Sequence, residues 1–218
     1  MQSTLPATEH LARLAVSVLV VDDRAADRAA VAGTLSGAPQ IAAVTAVATA
    51  AAALAAVLAD PPDVVIVEHR LPDRDGLALA RKLKNLTVPP RVLMRCARHD
   101  ARLAVAALIC GADGVVEAGQ TAAELRAAVL TLAGGGRLDS ALAPEVMRGV
   151  STLLDAADVP ILGMLLNGVA PAEIAAILAI SRGRLEARRH AILDRLLAPR
   201  RSASRHLARR LSPAGVAT

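Results

Sequence analysis

The chain has 218 residues, is 54% hydrophobic and 21% charged, and carries a formal charge of +5. That length fits one or two globular domains, and the apolar fraction excludes a disordered chain. Two cysteines, Cys96 and Cys110, exclude a disulfide framework and fit a reducing cytoplasm. Phe, Tyr and Trp are absent, so Leu, Val, Ile and Ala must fill the core. Of the 25 basic residues, only Lys82 and Lys84 are lysine. The charge is uneven: Ser181 to Arg210 holds 10 Arg against two acids, Glu186 and Asp194. Such an asymmetry points to a polyanionic partner at this end.

Residues 1–15 read as a leader with a short helix at His10 to Leu14 and without the order of a signal peptide. Val16 to Val21 is short and β-branched, which predicts a buried strand ending in Asp22-Asp23. A helix over Arg24 to Leu35 is closed by Ser36-Gly37-Ala38-Pro39. Ile41 to Ala59 is 19 residues without a charge, long enough to cross a bilayer. It divides better into a strand, Ile41 to Val47, and an Ala-rich helix capped by Thr49, so no membrane span is expected. Val64 to Val67 predicts a third strand, with Glu68 at its carboxyl end and a Pro72 turn and Asp75-Gly76 after it. A helix over Leu77 to Leu86, a strand over Arg91 to Met94 and a helix over Ala101 to Cys110 follow. A turn at Gly111 to Gly114 leads to a fifth strand, Val115-Val116, and Thr121 caps a helix to Leu132. This alternation predicts a parallel sheet covered on both faces. Functional groups in such sheets gather at the strands' carboxyl ends, here an acidic pocket of Asp22, Asp23 and Glu68.

Gly134-Gly135-Gly136 breaks the pattern, and residues 133–150 read as a semi-rigid linker with a short helix near Leu142 to Arg148. Helices then read from Leu154 to Leu196. The first ends at Asn167-Gly168, and a start at Asp158 spares it an interior Pro160. The second begins at Pro171 and runs to Leu178, and the third, capped by Ser181, runs to about Leu197. Two helices joined by a short turn make a helix-turn-helix. Residues 198–218 form a basic tail.

The register from Pro62 through Gly76 resembles the receiver domain of two-component response regulators. Leu154, Ile161-Leu162, Gly168, Glu173-Ile174-Ala175, Leu178, Ile180-Ser181, Ile192 and Leu196 resemble the LuxR/NarL-type DNA-binding domain. The resemblance implies an α/β flavodoxin-like (βα)5 receiver over 16–132, followed after the linker by an all-α helix-turn-helix domain over 151–197. It implies a cytoplasmic transcriptional regulator, not an enzyme, that binds double-stranded DNA as a homodimer. The third helix becomes the recognition helix, with DNA contacts from Ser181, Arg182, Arg184, Leu185, Glu186, Arg188, Arg189, His190 and Arg195. Arginine suits both phosphate and the guanine edge. Glu186 either accepts from a cytosine or pairs with Arg182 or Arg189.

The pocket departs from the family. Glu68 stands at the phospho-accepting Asp, Cys96 at the Thr or Ser, Ala118 at the Lys, and Val115 at the aromatic switch residue. The resemblance therefore implies action without aspartate phosphorylation and with no required cofactor. Glu68 either imitates a phosphorylated Asp or belongs to a receiver retained for dimerisation or docking. Asp22, Asp23 and Glu68 either hold Mg²⁺ or pair with Arg24, Arg70 or Arg95. Cys96 reads as an inert thiol ahead of a redox sensor. Pro160, Gly183 and Arg184 depart from the DNA-binding pattern and motivate a second reading, a protein-interaction module that docks a partner on its receiver. An acidic cluster with no nucleophile beside it carries little weight for a third, a Mg²⁺-dependent phosphatase.

Overall fold

The computed structural model describes residues 15–96, 100–138 and 144–198. The expected helix at His10 to Leu14 and the basic tail beyond Ala198 lie outside them. Five strands, β1 (Val16–Val21), β2 (Ile41–Val47), β3 (Val64–Glu68), β4 (Arg91–Cys96) and β5 (Gly114–Glu117), pair in parallel in the order β2-β1-β3-β4-β5. Helices α1 (Ala25–Ser36), α2 (Ala50–Ala59), α3 (Gly76–Lys84), α4 (Ala101–Ile109) and α5 (Ala122–Ala133) follow the strands in turn. This is the flavodoxin-like order. β3 is buried along its whole length, as expected for a central strand with both faces covered. The charge-free run divides as its Thr49 cap predicts, into β2 and α2, with the Thr49 side chain accepting from Ala52 N–H at 3.1 Å. No helix among the described residues is long and apolar enough to cross a membrane.

Side chains alternate between the faces of a strand, and the core divides accordingly. Leu19, Val21, Val65, Val67, Val92 and Met94 join α2, α3 and α4 in one apolar cluster. Val18, Val20, Val64, Ile66 and Leu93 pack on α1 and α5 in the other. A capping box closes the start of α5: Glu124 N–H donates to the Thr121 hydroxyl oxygen, and Thr121 N–H donates to the Glu124 carboxylate.

Helices α6 (Pro144–Ser151), α7 (Val159–Leu166), α8 (Pro171–Ile177) and α9 (Arg182–Leu197) follow. Pro160 lies in the first turn of α7, with Asp158 at its cap, so it displaces no internal hydrogen bond. Gly168, past the end of α7, has a φ of +75°, which favours glycine. Ile161, Leu162, Ile174, Leu185, Ile192 and Leu196 are buried where α7, α8 and α9 meet. They belong to the same apolar cluster as the α2–α4 face of the sheet.

Candidate functional site

The sheet order reverses between β1 and β3, so the carboxyl ends of these strands border the crevice of the fold. Val21 pairs with Val67 and Glu68 pairs with Arg95. By the two-residue period, Asp22, Glu68 and Arg95 project on the α1/α5 face, and Cys96 on the opposite one. Asp22, Glu68 and Arg95 are all buried. Arg95 Nη1 lies 3.0 Å from Asp22 Oδ2 and 3.4 Å from Glu68 Oε2. The other oxygens are also engaged: Asp22 Oδ1 accepts from Arg24 N–H at 2.9 Å, and Glu68 Oε1 from His69 N–H at 3.0 Å. Asp23 is exposed. The Arg24 side chain pairs with Asp27 instead of entering the pocket.

Burial, then the charge of Asp22, raise the Glu68 carboxyl above its ordinary range, while Arg95 draws it back down. Burial, with Glu68, Asp100 and Glu117 nearby, pushes the Cys96 thiol up to about 12. Cys96 is therefore a protonated, buried thiol, which argues against a redox sensor. Ala118 donates its N–H to the Cys96 carbonyl at 2.8 Å. Its side chain borders a cavity of about 120 Å³ that Arg95, Thr34, Thr121 and Leu125 also line.

The turn after β3 is fixed locally. Asp73 caps α2 from a distance, its carboxylate accepting from Ala50 and Ala51 N–H at 2.9 Å each. Asp75 accepts from Leu77 N–H at the start of α3. Gly76 donates to the His69 carbonyl at 2.8 Å, and a Cβ at position 76 would overlap the Glu68 carbonyl.

The second candidate surface is α9. Ser181 caps it, accepting from Arg184 N–H at 3.2 Å. One face of the helix rests on α4. Arg189 donates to the Ile109 carbonyl at 2.7 Å and to Glu186 at 2.8 Å. From the other side, Arg102 donates to the carbonyls of Arg195 and Ala198 at 2.8 and 3.0 Å. Arg81 of α3 meets His190 Nε2 at 2.8 Å. Arg188 and Arg195 turn inward to the start of α7, where Arg188 donates to the Ala157 carbonyl and Arg195 to Asp155. Both also lie 3.5 Å from the buried Asp158.

The sequence profile described as the response regulator receiver domain matches residues 18–130, more than half of the chain. The chain belongs to the response regulator receiver family. Over 90 residues, the chain is 31% identical to the "Probable transcriptional regulatory protein NarL" of Mycobacterium tuberculosis. That match covers 41% of this chain and 40% of the relative, so it spans less than half of the relative's length. The solved receiver domain of NarL from the same species is 32% identical, with a TM-score of 0.52 over 56% of this chain and 98% of that one. The response regulator ChrA, of a heme-sensing two-component system, is 26% identical with a TM-score of 0.50, over 90% of this chain and 98% of that one. NarL-type response regulators are among the homologues.

Measured against the expectations, the receiver's Asp22 and Glu68 meet in one pocket, while Asp23 does not join them. Arg95 takes the pairing role for which Arg24 and Arg70 were the other candidates. Cys96 leaves the pocket by strand parity. On α9, Leu185 is buried, 1% exposed, in the helical core and contacts no partner surface in this arrangement. Glu186 makes the surface pair with Arg189. Arg182 and Arg184 are exposed and engage no other described side chain. Sequence reasoning missed Arg81, Arg102 and Ile109. No local pattern marks them, because their role arises only when α3 and α4 meet α9.

Proposed function

We propose that this protein is a NarL-type transcriptional regulator that binds double-stranded DNA through α9 and acts without aspartate phosphorylation. The observation that carries the reading is α9 itself, an arginine-rich helix behind a short turn from α8, with Arg182 and Arg184 exposed at its amino-terminal end. Backbone phosphates reward such charge directly, and guanidinium groups also fit guanine edges. Phosphorylation independence rests on the pocket: Glu68 is buried and paired, and neither a hydroxyl nor an ammonium group stands at Cys96 or Ala118. On this reading Arg189 reaches DNA only after α9 leaves α4, and His190 only after it parts from Arg81 of α3. The working form is a cytoplasmic homodimer, as in regulators that read two half-sites.

The test is a genome-wide DNA pull-down with untreated protein at two salt concentrations, beside Arg182→Ala/Arg184→Ala. A defined motif recovered by the native chain and lost by the variant supports the reading. Diffuse binding that vanishes with salt overturns it.

A second reading is a protein-interaction module. It is favoured by the engagement of Arg188, Arg189, His190 and Arg195 in internal contacts. A partner recovered equally well with and without nuclease treatment would favour it.

A further inference from the structure

We propose that Arg95 is a built-in cation that fills the place of a divalent metal between Asp22 and Glu68, so this receiver takes up no Mg²⁺. A magnesium site needs near-octahedral oxygen ligation and keeps several waters. The pocket does not offer free oxygens for this: all four carboxylate oxygens are already engaged. Both carboxylates direct an oxygen at one guanidinium nitrogen, and their remaining oxygens accept backbone N–H groups. Asp23, the third acid of the expected set, is exposed and does not join them. Among the described residues, no group of three His, Cys, Asp or Glu side chains is arranged to hold a metal ion.

The placement of Arg95 follows from the strand. It pairs with Glu68 in the sheet register, its side chain falls on the face of Asp22, and its guanidinium is buried between the two acids. A fixed guanidinium cannot lose its charge at physiological pH. One positive charge therefore stands between the two acids whether or not divalent cations are present. The inference rests on the phosphorylation-independent reading and supplies its physical basis, since an acyl-phosphate transfer that depends on a metal has none here to use.

The test is a Mn²⁺ titration of the full chain, with free Mn²⁺ followed by its paramagnetic resonance signal. The native chain is expected to show no saturable uptake. Arg95→Ala, which empties the space between the acids, is expected to bind one equivalent. Arg95→Met keeps the packed stem without the charge and serves if the smaller side chain prevents folding. Saturable uptake by the native chain overturns the inference, and so does a folded Arg95 variant that binds no more Mn²⁺ than the native chain. DNA affinity, measured on the same samples, separates the two claims. In the native chain, no DNA binding together with no Mn²⁺ uptake would sink the regulator reading and leave Arg95 in place; Mn²⁺ uptake with DNA binding intact would do the reverse.

Discussion

At the scale of single residues, the pocket's balance can be read in stability. Removing one partner of a buried ion pair leaves charge without compensation, so Arg95→Ala should cost about 3–5 kcal/mol in urea unfolding. Glu68 gives a pH signature. Its carboxyl is raised above the ordinary value of 4.5 in the folded chain, first by burial. The native state then holds that proton more tightly than the unfolded state. Stability falls as pH rises from 4.5 through the folded value and is level above it. Glu68→Gln removes this loss, so its stability relative to the native chain should climb across that window. A difference that stays flat across urea midpoints taken from about pH 4 to 7 counts against the assignment. Gly76→Ala forces a Cβ onto the Glu68 carbonyl and should destabilise by about 1–3 kcal/mol, read as a lowered melting temperature. The acids at two strand ends were legible in the sequence because carboxylates at strand ends recur in parallel sheets. The choice of Arg95 over Arg24 and Arg70 required register: only the pairing of Glu68 with Arg95 puts that guanidinium between the acids.

At the scale of elements, β1 and β2 have the limits their composition predicts, because β-branched runs between turn residues leave little choice. β4 continues to Cys96, past the expected Met94, because Arg95 and Cys96 stay buried and paired to β3 and β5. The turn between α8 and α9 holds Ala179 at a φ of +51°, a conformation that costs a residue with a Cβ roughly 1–2 kcal/mol. Glycine there recovers that strain but loses about 0.4–1 kcal/mol to unfolded-state entropy. Ala179→Gly should therefore raise the melting temperature or leave it unchanged; a clear fall would mean the turn is not strained. The seam between α4 and α9 was illegible in the sequence. Arg102 and Arg189 look like ordinary surface arginines until their targets, main-chain carbonyls on the other helix, come within reach. The Nε atoms of both are buried there with no acceptor among the described residues, a cost the seam carries while closed. Arg102→Ala removes two donated bonds without touching α9. It should raise affinity for a short duplex about fivefold, the equivalent of about 1 kcal/mol, in a fluorescence anisotropy titration. Unchanged affinity would mean the seam does not restrain α9.

At the scale of the whole molecule, charge at the exposed start of α9 sets how DNA affinity responds to salt. Each phosphate contact contributes about 0.9 to the logarithmic salt slope. Arg182→Ala/Arg184→Ala should thus lower the slope by about 2 if both residues meet phosphate. A slope unchanged by the double substitution would place the contacts elsewhere. The seam has one further consequence. A protein that docks on the α4 face and a duplex that takes the seam face of α9 must both wait for the same separation. They are then not competitors: whichever arrives first has already met the cost of parting the helices, and the second binds more tightly by the same factor in either order. On that thermodynamic symmetry, docking a partner and reading DNA become two measurements of a single equilibrium.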